Sequence, residues 1–204
     1  TFDAVVLCGG AMKPRALEVP GADLSGVYPA MFFLTQQNRR VAGDTIPAAE
    51  DLTATRKHVI ILGGGDTGSD CVGTSHRQGA KSVTSLELMP APPEQRVPQN
   101  PWPEWPLIYR TSTSHEEGGA RDFGVKTVRV IGKARIEAIE AVRVARTATG
   151  FEDVPGSNFE IPCDLLLLAM GFTGPVRDRL LTELGVEMSP RGNVAVTNGY
   201  TSVK

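Results

Sequence analysis

Gly63, Gly65 and Gly68 stand in the order G-x-G-x-x-G. Between a strand and a helix, that spacing has a chemical use. The first glycine permits a tight turn, the second lets bare backbone approach a pyrophosphate, and the third lets helix and strand pack closely. A chain with 22 glycines produces the string by accident, so its flanks must carry the inference. His58-Val59-Ile60-Ile61-Leu62 is a β-branched run that enters Gly63-Gly64-Gly65 without a gap. Asp66 to Arg77 reads as a helix closed by Gly79, and Ser82 to Leu88 as the next strand. Strand, turn, helix and strand have the size of a βαβ unit.

Asp66 and Thr67 begin the helix, where either side chain would cap it and the free backbone amides would face an anion. Glu87 ends the second strand, nineteen residues after Gly68. A carboxylate there accepts hydrogen bonds from a ribose 2′-hydroxyl and repels a 2′-phosphate, which favours NADH. Arg96 lies nine residues further on and is the cation that would reach a 2′-phosphate instead. NADPH therefore stays open.

With the elements around it, this unit is expected to form an α/β, Rossmann-like NAD(P)-binding domain. Its parallel sheet begins with 58–62 and 82–88, and an antiparallel β-meander occupies about 126–146. Tyr28 to Asn38 reads as a short helix, residues 114–123 as another, and Arg177 to Leu184 as a third. Asp3-Ala4-Val5-Val6-Leu7-Cys8-Gly9-Gly10 is echoed by Asp164-Leu165-Leu166-Leu167-Leu168-Ala169-Met170-Gly171. Each reads as a buried strand running into glycine. Residues 90–106 hold seven of the fifteen prolines and both tryptophans, a density that excludes helix or central strand.

Composition removes several classes of function. Twenty-one basic and twenty-three acidic residues leave a net charge of −2, without the footprint of a nucleic-acid binder. No apolar run approaches the ~20 residues of a membrane span, and no secretory leader shows. Cys8, Cys71 and Cys163 are far apart and odd in number, which argues against disulfides and for the cytoplasm. No histidine or cysteine has a neighbour at metal-ligand spacing, and His115-Glu116-Glu117 lacks the second histidine of a zinc helix. No catalytic acid, base or nucleophile can be nominated. The unfinished look of both ends suggests a fragment of something longer.

Three segments together resemble one family. Ile61-Leu62-Gly63-Gly64-Gly65-Asp66-Thr67-Gly68-Ser69-Asp70-Cys71 is the first, and Glu87-Leu88-Met89-Pro90-Ala91-Pro92-Pro93-Glu94-Gln95-Arg96 the second. The third, Asn100-Pro101-Trp102-Pro103-Glu104-Trp105-Pro106, is the most specific. They look like the small (β) subunit of glutamate synthase, and Asp164 to Pro175 fits as well. The resemblance implies that NAD(P)H reduces FAD, and that electrons pass through iron–sulfur clusters to a large subunit or domain making glutamate from glutamine and 2-oxoglutarate. It implies a nicotinamide-nucleotide domain inserted into an FAD domain of the same chain. On that basis 1–54 is expected to be a connecting segment, 55–172 the NAD(P)H domain and 173–204 the return segment.

The resemblance adds Gly64, Met170 and Gly171 to the cofactor-binding set, and it places FAD and the clusters in the full-length protein alone. The isolated fragment is expected to be inactive. Many relatives have two arginines where this chain has Leu88 and Met89, so NADPH use does not transfer automatically. Three other readings remain: a flavoprotein reductase subunit with another electron acceptor, an S-adenosylmethionine-dependent methyltransferase, and a docking module without chemistry.

Overall fold

The structure is a computed structural model that describes Asp3, Val6 and residues 9–196. The expected strand Ala4–Leu7, and Cys8 with it, fall outside the described residues as elements. In chain order the elements are β1 (Lys13–Pro14), β2 (Val27–Pro29), α1 (Ala30–Val41), β3 (His58–Leu62), α2 (Asp66–Arg77) and β4 (Ser82–Glu87). Then come α3 (Thr113–Glu116), β5 (Ala120–Phe123), β6 (Val125–Gly132), β7 (Ile136–Arg146), β8 (Phe151–Asp153) and β9 (Phe159–Pro162). β10 (Leu165–Leu168), β11 (Phe172–Gly174) and α4 (Leu180–Glu183) end the series. The elements fall into two compact units, one of residues 17–169 and one of 1–16 with 170–204.

The larger unit is built on a five-stranded parallel sheet in the order β2-β10-β3-β4-β5. A parallel strand covered on both faces must be apolar throughout, and β10 and all of β3 after His58 are. Val59, Ile60, Ile61 and Leu62 are all buried, and Leu165, Leu166 and Leu167 are 0% exposed. Val59, Ile61, Leu165 and Leu167 share one face with Ala30 and Phe33 of α1 and Cys71 and Val72 of α2. Ile60 and Leu166 pair in register and point the other way.

β6 and β7 form a long antiparallel hairpin, with β9 added along the first half of β7 and β8 along the second. This is the antiparallel meander expected over about 126–146. Among the described residues, no helix is long and apolar enough to cross a membrane.

Several boundaries differ from expectation. The helix expected over 114–123 is the four-residue α3 followed by strand β5, with Gly118 (φ +126°) and Gly119 (φ +93°) between them. Those positive φ values end a helix that the composition alone would continue. The helix expected at 177–184 is confined to Leu180–Glu183. Residues 17–54 pack with the larger unit instead of standing apart as a connector, because Phe33, Leu52 and Ala54 belong to its core.

In the smaller unit, β1 pairs antiparallel with β11, and Met188 bridges Val194.

Candidate nucleotide-binding site

The candidate site is the turn between β3 and α2. Gly63 takes φ +116°, a region open to glycine, and its N–H donates to the Leu86 carbonyl at 2.9 Å. The turn is thereby tied to β4 as the chain leaves β3. Gly65, in extended conformation, occupies the N-cap position of α2, so neither Asp66 nor Thr67 caps the helix as expected. Asp66 is instead the first helical residue. No side chain caps α2, and its first intrahelical bond runs from Ser69 N–H to the Gly65 carbonyl at 3.0 Å.

This leaves the amides of Asp66, Thr67 and Gly68 free at the positive end of a twelve-residue helix. A Cβ on Gly65 would meet nothing within 4 Å, so the backbone there borders open space. Free donors beside bare backbone fit a pyrophosphate. Gly68 is required for another reason, since a Cβ on it would land on the Gly63 carbonyl.

Glu87 reaches back to the turn. Its Oε2 accepts the Gly64 N–H at 2.5 Å, and its Oε1 accepts the Met89 N–H at 3.2 Å. A Cβ on Gly64 would lie 2.9 Å from Oε2, so glycine at this position is what lets the carboxylate approach. Ser85, two residues earlier on β4 and 4% exposed, places its Oγ 3.4 Å from the Gly63 carbonyl. Sequence reasoning passed over Ser85, because β4 also carries Ser82 and Thr84 and nothing in the sequence sets this hydroxyl apart from theirs.

Arg96 is placed differently from expectation. Its Nη1 donates to the carbonyls of Asn100 (2.9 Å) and Glu104 (3.0 Å), inside the loop that follows β4. Asn100, 6% exposed, is the centre of that loop: its Oδ1 accepts the Leu107 N–H, and its Nδ2 donates to Glu104 Oε2 and the Trp105 carbonyl. The Tyr109 N–H closes the loop onto the Pro93 carbonyl at 2.8 Å. Trp102 and Trp105 stay largely exposed on it.

Met170 and Gly171 fall in the smaller unit, where Gly171 takes φ +80° and its carbonyl accepts the Arg15 N–H at 3.0 Å. The other nominated residues, Gly63 to Gly68 and Glu87, do come together in the larger one.

Three further residues flank Glu87 that sequence reasoning did not single out. Phe123 of β5 pairs in register with Glu87, and Arg121 with Ser85. The Arg121 guanidinium lies 4.4 Å from the centre of the Tyr109 ring and 5.5 Å from that of Phe123.

Burial pushes the thiols of Cys71 and Cys163 up to about 12, with the Asp70 and Asp164 charges adding to the effect. Neither is a thiolate near neutrality. Among the described residues, no three His, Cys, Asp or Glu side chains gather as metal ligands.

Comparison with known proteins identifies the family. Residues 1–204 match a family described as pyridine nucleotide-disulphide oxidoreductase. The glutamate synthase (NADPH) small chain of Mycobacterium tuberculosis H37Rv is 51% identical over 198 residues, which is 95% of this chain and 41% of that one. The glutamate synthase (NADH) of Schizosaccharomyces pombe is 36% identical over 217 residues, 99% of this chain and 10% of that one. This chain thus spans about two fifths of the length of the small chain and a far smaller part of the yeast protein. Among solved structures, the Mycobacterium tuberculosis oxidoreductase FprA matches 98% of this chain and 56% of its own, with a TM-score of 0.62 at 16% identity. That likeness is one of fold.

Proposed function

Because this chain belongs to the pyridine nucleotide-disulphide oxidoreductase family, we propose that its larger unit is the NAD(P)H-binding domain of a glutamate synthase small chain. The observation that carries this reading is the uncapped start of α2 above the open face of Gly65. The amides of Asp66, Thr67 and Gly68 bind the pyrophosphate, aided by the helix dipole. Glu87 holds the turn through Gly64 and keeps lone pairs that accept from the adenosine ribose.

A bound nicotinamide nucleotide supplies a hydride to an FAD held by the rest of the parent protein. Iron–sulfur clusters of the parent then lead to the large subunit or domain. The residues here bind and orient; none of them transfers a proton. Cys71 and Cys163 are buried free thiols and therefore already reduced, which supports a flavin over a disulfide of this unit as the acceptor. The charged acceptor at Glu87 supports NADH as the preferred form.

Titration calorimetry with NADH, NADPH and S-adenosylmethionine tests the reading. One or both nicotinamide nucleotides bind at one site per chain, and S-adenosylmethionine does not. Binding of S-adenosylmethionine alone overturns it, and stoichiometric FAD binding by this chain overturns the domain assignment.

A further inference from the structure

Six ion pairs engage Arg39, Arg40, Arg77, Lys126, Arg129 and Arg143 among the described residues, and Arg121 is in none of them. It is nevertheless half-buried, on a strand next to the candidate site. Its Nη1 donates to the Arg110 carbonyl at 2.7 Å, and its guanidinium carbon lies over the Tyr109 ring with the Phe123 ring further off. A cation–π contact of this kind holds a guanidinium in place while its remaining N–H donors stay available to other acceptors.

Register decides which way this cation faces. Parallel neighbours point their side chains to the same side of a sheet, so Ser85 and Glu87 on β4 share a face with Arg121 and Phe123 on β5. That is the face of the glycine turn, because Ser85 contacts the Gly63 carbonyl and Glu87 the Gly64 N–H. A dinucleotide whose pyrophosphate sits at the start of α2, beyond β3, places its adenosine ribose over the end of β4. The next strand outward is β5. A group carried on the 2′-oxygen and directed outward from Glu87 therefore meets Phe123 and the Arg121 stack.

Arg96 cannot fill this role from its observed position without releasing the two carbonyls that it holds. Leu88 and Met89 carry no charge. Arg110 stacks on Trp105, on the loop itself.

We propose that Arg121, fixed by Tyr109 and Phe123, is the specificity-determining contact for an adenosine 2′-phosphate. This rests on the nucleotide-binding reading above. With Glu87 accepting a ribose hydroxyl and Arg121 one strand away, the site accommodates either nucleotide, and Arg121 sets the share of NADPH.

The experiment measures dissociation constants of NADH, NADPH, 5′-ADP and 2′,5′-ADP for the native chain and for Arg121→Met. The substitution is expected to weaken NADPH and 2′,5′-ADP tenfold or more while NADH and 5′-ADP change less than twofold. Equal weakening of all four, or of none, overturns the proposal. If the native chain binds none of them, the nucleotide-binding reading itself has failed. Thermal melting reports whether Arg121→Met folds. If it does not, Arg121→Lys serves, since it keeps the charge and loses the stack. Its expected effect is a smaller loss, again confined to the 2′-phosphorylated ligands, and an equal loss for both classes is disproof.

Discussion

Gly68 and Gly63 are in backbone contact across the turn, so closely that a Cβ on Gly68 would overlap the Gly63 carbonyl oxygen. The obstacle is main chain, which cannot swing aside as a side-chain end would. Gly68→Ala is therefore expected to destabilise the protein by about 1–3 kcal/mol, the usual cost of overpacking. At this chain length that lowers Tm by about 2–4 °C per kcal/mol. Differential scanning fluorimetry measures the loss, and nucleotide titration should show weakened binding because α2 is pushed off β3.

Glu87→Ala removes the acceptor of the Gly64 N–H and, with it, the proposed charged partner of the ribose. A hydrogen bond to a charged group contributes ~1.5–3 kcal/mol, tenfold or more in affinity. NADH is expected to bind more tightly than NADPH to the native chain, and the substitution to narrow that gap. Calorimetry on both ligands checks it. Tighter NADPH binding by the native chain contradicts the assigned preference.

Asn100→Ala leaves the Leu107 N–H and the Trp105 carbonyl without their partner in a loop with no regular secondary structure. The expected cost is about 1–3 kcal/mol. Hydrogen exchange should accelerate across residues 94–108, with β3 and β10 keeping their protection. Uniform acceleration through the sheet would show that the loop does not unfold on its own.

Cys71 and Cys163, with thiols pushed up to about 12, are expected to resist alkylation at pH 8 in the native protein. Iodoacetamide labelling followed by peptide mass spectrometry should find both unmodified, and both labelled in guanidinium chloride. A thiol pKa raised by folding means that native stability falls as pH climbs through the ordinary thiol range towards 12.

His115 is held below its ordinary value, first by burial and then by the positive charge of Arg121. A depressed histidine pKa means that the unfolded chain takes up the proton first. This residue's contribution to stability is thus complete above about 6.5 and shrinks as pH falls through the lowered native value. Proton NMR should place its midpoint below that of a free imidazole, and Arg121→Met should move the midpoint up.

The sheet was legible because β3 and β10 are short apolar runs entering glycine, a pattern with few other outcomes. The bounds of α2 and the antiparallel hairpin followed from equally local signals. What escaped depended on distant partners. β5 reads as helix from residues 114–123 alone, and only pairing with β4 makes Ala120–Phe123 a strand. Arg96 looked free because nothing in the sequence announces that carbonyls four and eight residues away will occupy it. Arg121 was missed for the reverse reason: its significance lies in a register that no spacing encodes.

The central strand order also has a consequence in time. β10 lies between β2 and β3, and the Asp164 carboxylate accepts the His58 N–H across 106 positions of sequence. A ribosome working at ~5–20 residues per second delivers that stretch in about 5–20 s. Throughout that interval one edge of β2 and one of β3 have no neighbour, although both strands have already been made. A nascent chain stalled within β9 therefore presents two open strand edges to its surroundings or to a chaperone. The arrival of Leu165–Leu168 closes both at once.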